Sequence, residues 1–367
     1  MKKFSGKKLL CMLLSCMMLF TLAGCGGSSS TENTDAAGSA DTTEADDSGS
    51  SDDASKDASQ ESVKAIIGTQ DLLGGAAVTK GENYFQQTMG DGAEIKVFSA
   101  GRDINSALAS GSVDFGMFGV CPTVVGLTSG TDFKIIYIEC LIRGSEGMVV
   151  RKGSGIESVE DLKGKKVAVT VASSGHYGLL CALEDAGMTV DDIEIVDMDP
   201  ASTYSAWERG DIDAAYTWNP TLLNIAKEDG EILLTVEDLV AKGHQTINFH
   251  VVRTEFAKEH PEAVKAYCKA LAMGVDLYKN DEAKALDVIS NYLEIDAENA
   301  KEQMSDKYLT LEEQMSDEAF GNDTAANTIL QVSEFLKEAG QIEDAKDLAF
   351  FQNAIDTSYI EELISEQ

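Results

Sequence analysis

Basic residues are scarce in this chain: 29 Lys and Arg stand against 63 Asp and Glu in 367 residues, a formal net charge of −34. That balance argues against nucleic acid and against acidic surfaces as partners. It also makes any anion site a local construction, in which backbone amides and helix ends must outweigh the field of the whole molecule at short range. Histidine is sparse too. His176, His244, His250 and His260 show no metal-ligand spacing, so no metal is expected. None of the seven cysteines belongs to a CxxC pair. Cys121, Cys140, Cys181 and Cys268 are spaced neither as a zinc site nor as a disulfide framework, and at least three of them read as small buried hydrophobes. There is no Walker A pattern, and beyond the first two dozen residues no apolar run is long enough to span a membrane.

What is present begins with a sorting signal. Lys2, Lys3, Lys7 and Lys8 precede an apolar run over residues 9–23, the pattern of a secretory signal. The run ends in Leu22-Ala23-Gly24-Cys25, which resembles the lipobox of bacterial lipoproteins. The expectation is a signal peptide over residues 1–24, lipidation of Cys25, and a two-chain anchor to the extracytoplasmic face of the cell membrane. Residues 26–62 are almost all Gly, Ser, Thr, Ala, Asp and Glu, with Lys56 the only base. No hydrophobic period exists there to offset the entropy of folding, so this segment reads as a disordered acidic tether.

From residue 63 onward short apolar strands alternate with amphipathic helices, the pattern of an α/β protein with largely parallel pairing. Strands are expected at 63–68, 95–98, 113–118, 134–142, 145–152, 166–171, 193–197, 212–217 and 248–253. One internal similarity stands out. Ser106-Ala107-Leu108-Ala109-Ser110-Gly111-Ser112-Val113-Asp114 matches Ser205-Ala206-Trp207-Glu208-Arg209-Gly210-Asp211-Ile212-Asp213. Each copy leads through an apolar strand and a turn to a Pro-Thr pair, Pro122-Thr123 and Pro220-Thr221. A unit used twice predicts two similar lobes, here 63–152 with 248–367 and, between them, 153–247. In each copy a strand ends before a helix start, where ligands tend to bind in open α/β sheets. After residue 256 long helical stretches at 261–278, 281–291 and 324–339 carry no motif and are expected to complete the first lobe.

Several segments resemble the taurine-binding proteins of ABC importers, within the nitrate/sulfonate/taurine-binding group. The most specific are Ser173-Ser174-Gly175-His176-Tyr177 and Trp207-Glu208-Arg209-Gly210-Asp211-Ile212-Asp213, supported by Gly144-Ser145-Glu146 and Phe256-Ala257-Lys258-Glu259-His260-Pro261. The resemblance implies a two-lobed type II periplasmic-binding-protein-like fold with a helical C-terminal part. It implies a small sulfonate in the cleft, hinge closure and no catalysis. It also implies a monomer that partners an ABC permease and its ATPase subunit.

A sulfonate needs several donors. Ser173, Ser174, His176 and Tyr177 stand where a strand becomes a helix, and the free amides of a helix start form an anion site without formal charge. The two serines equally suit ordinary capping. A second helix start, at Val120 and Cys121, offers backbone amides alone, because these residues replace the group's small polar pair. Arg102, at a third helix start, reads either as a bidentate clamp on the sulfonate or as a solvated surface residue. His176 reads as a hydrogen-bond donor or a packed ring. For an ammonium end, the group's carboxylate position carries Asn248, an acceptor without charge. Glu146, Asp71 beside Gln70, and Glu139 are the acids that compensate, in that order. Trp218 is placed to pack on a carbon spacer, to meet the ammonium by cation–π contact, or to fill a core. Two other readings on the same fold remain open, besides an enzyme. One is a binding protein for another small anion or a thiamine-precursor-like ligand, and the other is a sensor for a membrane kinase.

Overall fold

The computed structural model describes residues 63–367. The expected signal peptide, Cys25 and the tether lie outside the described residues. Among the described residues no helix is long and apolar enough to cross a membrane.

Among the described residues ten strands form two five-stranded sheets. They are β1 (Ala65–Thr69), β2 (Ala93–Val97), β3 (Phe115–Gly119), β4 (Phe133–Leu141), β5 (Glu146–Arg151), β6 (Lys166–Val169), β7 (Glu194–Asp197), β8 (Ala214–Trp218), β9 (Gly230–Thr235) and β10 (Ile247–Arg253). The first sheet runs β2-β1-β3-β10-β4 and the second β7-β6-β8-β5-β9. Each sheet thus has the same plan. Three parallel strands come from one stretch of chain, and next to them lies a strand that arrives from the other sheet, β10 in the first and β5 in the second. These exchanged strands run antiparallel to both neighbours, while β1 and β6 pair parallel on both sides. The sheets are therefore mixed, where the sequence suggested largely parallel pairing. Alternation of strands and helices does not register a strand that leaves one sheet to enter another.

The same exchange moves one expected boundary. β5 belongs to the second sheet, so the chain crosses between Leu141 and Glu146 rather than after residue 152. β9 and two helices, Gly75–Gly81 and Tyr84–Met89, had no expectation attached to them.

The repeated motif occupies equivalent places. Asp114 enters β3, and its carboxylate accepts the Ile66 amide of β1 at 2.9 Å. Asp213 precedes β8, and its carboxylate accepts the Lys166 amide of β6 at 2.9 Å. The glycines of the two copies, Gly111 and Gly210, both have positive φ, 70° and 74°. That conformation ends the preceding helix cheaply only without a Cβ. In the second copy the Pro200–Arg209 helix starts with Pro200 at its first position, and the Asp199 side chain caps the Ser202 amide at 2.8 Å.

The C-terminal helices pack on the first sheet, where Tyr267 stacks on Phe115 with centroids 4.1 Å apart. One part of this region also reaches the second sheet. After the Ala297–Gln303 helix the chain pairs Lys307 with Leu141 of β4. Just before, Lys227 bonds Asn299 at 3.0 Å and Glu302 at 2.7 Å from the second-sheet side. Residues 299–308 therefore form a strap across the crossing strands.

Candidate functional site

The helices that follow β2, β3 and β6 begin at Gly101, Val120 and Ser174. The last two starts meet across the gap between the sheets. A Cβ on Gly119 would stand 3.0 Å from Ser174 Oγ and 3.2 Å from Asn248 Oδ1. Beside this contact lies a cavity of about 50 Å³, room for roughly four water-sized groups. Ser173 forms the cap of its helix, accepting the His176 amide at 3.2 Å and donating to the Thr170 carbonyl at 2.6 Å.

Of the residues singled out in the sequence, Gln70, Glu146, Ser173, Ser174, Trp218 and Asn248 lie on the cavity wall. Glu139 does too. Glu146 is 3% exposed. Its Oε2 accepts the Ser174 hydroxyl at 2.8 Å, and its Oε1 has no partner among the described residues. Burial pushes its pKa up to about 8, against the lowering effect of the Ser174 hydrogen bond, with nearby Asp306 adding to the rise. Glu139, costly in an apolar strand unless paired, is paired. It meets His250 Nε2 at 2.8 Å and accepts the Ala76 amide at 3.0 Å. Asn248 donates to Cys140 Sγ at 3.7 Å. Trp218 stands opposite Glu146 in the β5–β8 register.

The other singled-out residues are not on this wall. Asp71 is paired with Lys80 at 3.0 Å. Arg102 faces Asp197 instead of the cavity, with Nη1 at 3.0 and 3.1 Å from the two carboxylate oxygens and 3.1 Å from the Val171 carbonyl. The side chains of Val120 and Cys121 are fully buried in packing, so only their backbone is available near the cavity. His176 is buried, and burial lowers its pKa against the opposing pull of Asp197, which keeps the ring neutral. Tyr177 turns to Phe335, edge to face with centroids 5.1 Å apart.

Sequence reading missed wall residues from the strap and from one turn. Asp306 accepts the Arg143 amide at 2.8 Å, the Ser145 amide at 3.3 Å and the Ser145 hydroxyl. It therefore ties the chain crossing between the sheets, and enclosure raises its pKa despite these bonds. Gln303 and Tyr308 also line the cavity, as does Asn219. Nothing in the C-terminal sequence marked the strap. Asn219 had a signal: it precedes Pro220 of the duplicated Pro-Thr pair, and Pro122 of the other copy is on the wall.

The wall thus holds helix starts and three carboxyl groups, Glu139, Glu146 and Asp306, with no Lys, Arg or His side chain among the lining residues. Negative charge on a ligand has to be met by amides of helix starts, whose first-turn N–H groups lack intrahelical acceptors. Positive charge has acceptors on the same wall, Glu146 among them, bonded to the Ser174 hydroxyl. Two sheets of one plan joined by exchanged strands, with a polar cavity between them, define a protein built like the periplasmic binding proteins.

Comparison with known proteins agrees and narrows the class. The chain belongs to the NMT1/THI5-like family, whose profile matches residues 75–285. It is 36% identical over 210 residues to the taurine-binding periplasmic protein of Escherichia coli strain K12, covering 57% of this chain. The match spans 65% of that relative's length. A putative aliphatic sulfonates-binding protein of Bacillus subtilis strain 168 is 31% identical over 236 residues, 63% of this chain and 70% of the relative. The alkanesulfonate-binding protein SsuA from Xanthomonas axonopodis pv. citri bound to MOPS has the same fold, with a TM-score of 0.66, 19% identity and coverage of 80% of this chain and 98% of that one. So does the desulfurization enzyme DSZB, in complex with biphenyl-2-sulfinic acid, with a TM-score of 0.62 and 13% identity over 83% of this chain and all of its own.

Proposed function

We propose that the protein captures taurine or a closely related small sulfonate outside the cytoplasmic membrane and delivers it to an ABC importer, held at the membrane through lipid on Cys25. The observation that carries this reading is a cavity that combines helix starts with a buried carboxyl. Helix starts at Gly119 and Ser173–Ser174 meet beside it, and Glu146, whose buried Oε1 has no partner among the described residues, lies on its wall. A zwitterion with a sulfonate and an ammonium two carbons apart answers both. The relatives described as taurine-binding and aliphatic sulfonates-binding support the same ligand class.

The two sheets act as lobes that close on the ligand, so binding shifts the population toward the closed form. Binding without chemistry is favoured by Cys140, the thiol on the wall. Its burial, with Asp306 and Glu139 nearby, pushes the thiol pKa well above the ordinary range, and a protonated thiol is a poor nucleophile.

Calorimetry with taurine, ethanesulfonate and β-alanine tests the reading. Taurine should bind at micromolar affinity or better, and both analogues more weakly. Equal binding of β-alanine would remove the case for a sulfonate site. Preference for ethanesulfonate over taurine would remove the case for an ammonium. For the anchor, a labelled fatty acid should be incorporated into the unaltered chain and not into Cys25→Ser; equal labelling of both would refute lipidation at that residue.

A further inference from the structure

Three residues of the cavity wall each bury a side-chain oxygen without a hydrogen-bond partner among the described residues: Glu146 Oε1, Asn219 Oδ1 and Gln303 Oε1. They come from three places, the start of β5, the turn after β8, and the end of the Ala297–Gln303 helix in the strap. All three are acceptors. No buried side-chain donor on the same wall lacks a partner among the described residues.

The orientation of both amides follows from their other contacts. Asn219 Nδ2 donates to the Gln303 backbone carbonyl at 3.4 Å, and Gln303 Nε2 donates to Asn299 Oδ1 at 3.0 Å. Flipping either group would set oxygen against oxygen, so each NH₂ is committed and each carbonyl oxygen is left over. Gln303 is 1% exposed, Asn219 5% and Glu146 3%. Buried acceptors left unmatched are costly, and three on one small cavity is a surplus that a ligand donor group would relieve.

We propose that Asn219 and Gln303 complete, with Glu146, a three-acceptor receptor for a primary ammonium, and that the strap thereby makes the site selective for primary amines over N-alkylated ones. The proposal rests on the reading of this cavity as an amino-sulfonate site. A primary ammonium carries three N–H donors, one for each oxygen. Every N-methyl group removes one donor, leaves one acceptor unmatched and adds volume to a cavity of about 50 Å³. The position of Gln303 follows from the strap, whose Lys227 contacts fix it to the second sheet and whose Lys307–Leu141 bridge fixes it to the first. The third acceptor is therefore in register only when both sheets are engaged.

The test is calorimetry on the whole protein with taurine, N-methyltaurine, N,N-dimethyltaurine and ethanesulfonate, for the unaltered chain, Gln303→Leu and Gln303→Glu. The unaltered protein should lose about tenfold in affinity per methyl group. Gln303→Leu should lose about tenfold for taurine, leave ethanesulfonate unchanged and erase the first step of the methyl series. Gln303→Glu sets an oxygen against Asn299 Oδ1 and so should lower affinity for every ligand, but it keeps an acceptor for the ammonium and should retain the preference of taurine over N-methyltaurine. Equal losses for taurine and ethanesulfonate in Gln303→Leu would mean that Gln303 serves only to hold the structure, and would overturn the proposal. So would N-methyltaurine binding the unaltered protein as tightly as taurine. Ethylammonium and dimethylammonium, run alongside, carry no sulfonate. If no sulfonate binds, preference for the primary amine there supports the acceptor triad while the sulfonate reading falls, and its absence overturns the triad as well.

Discussion

Ser174 donates its hydroxyl to Glu146 Oε2 at 2.8 Å and leaves Oε1 without a partner among the described residues. One hydrogen bond does not offset full burial of a carboxylate, and burial pushes the Glu146 pKa up to about 8. An ammonium beside Oε1 favours the ionised form, so the ligand binds that form preferentially. Taurine affinity should rise roughly tenfold per pH unit below pH 8 and level off near it, because the ionised fraction does the same. At pH 7 binding should release close to one proton, seen as a calorimetric enthalpy that varies with the ionisation enthalpy of the buffer. Glu146→Gln should weaken taurine binding and flatten the pH profile. The ligand-free protein carries the opposite signature. An acid whose folded pKa is raised from 4.5 to about 8 loses stability as pH climbs through that window, so Glu146→Gln should raise the melting temperature at pH 8 and change it little at pH 4. A pH-independent taurine affinity in the unaltered protein would contradict the assignment of Glu146 to the ammonium.

Arg102 belongs to the helix after β2 of the first sheet, and Asp197 ends β7 of the second. Their contacts at 3.0 and 3.1 Å, with the Arg102 bond to the Val171 carbonyl, join the two sheets beside the cavity. The Val171 amide donates to the same carboxylate at 3.0 Å, which orients it. The side chains are 37% and 48% exposed, so solvent screens the pair and its contribution is no more than about 1 kcal/mol. If it stabilises the closed form, Arg102→Ala should raise the taurine dissociation rate by about fivefold at most, with little effect on association, and the difference should shrink as salt is added. Stopped-flow kinetics at low and high ionic strength check this. A slowed association with unchanged dissociation would instead mean that Arg102 steers the anion toward the site.

These two residues also mark how far the sequence could be read. Glu146 and Ser174 were legible because the segments around them match a family, and because a helix start following a strand has a known chemistry. The duplicated motif was legible through Asp114 and Asp213, each preceding the middle strand of its sheet and each capping the first parallel strand beside it. Arg102 was not, because an arginine at a helix start serves an anion or a neighbouring carboxylate equally well, and the choice depends on where a residue 95 positions away falls. The strap was hidden for a similar reason. Gln303 and Asp306 reach the cavity through tertiary docking of a segment with no periodic signal, and their roles depend on Asn219, Arg143 and Ser145 being brought to them. The exchanged strand β5 looks like any other apolar strand until its partners are known, whereas the strand at 248–253 is read from sequence as the return to the first lobe, and β10 lies in the first sheet.

Gly119 separates closure from ligand contact. Its φ of −73° is ordinary for any residue, so Gly119→Ala introduces no backbone strain, and the added Cβ acts by contact alone. That Cβ would stand 3.0 Å from Ser174 Oγ and 3.1 Å from Ser174 Cβ, both on the opposite sheet, and 3.2 Å from Asn248 Oδ1 on its own. The cheapest relief is for the two sheets to move apart by a few tenths of an ångström. If the two sheets part in the ligand-free form as proposed, the added Cβ has room there, so the substitution should leave the melting temperature of the ligand-free protein nearly unchanged while weakening taurine binding, and Gly119→Val should do so more strongly. Small-angle scattering should then find less compaction on adding saturating taurine than in the unaltered protein. A Gly119→Ala protein that melts several degrees lower without ligand would instead mean that the contact is present in both forms and that the sheets do not part there.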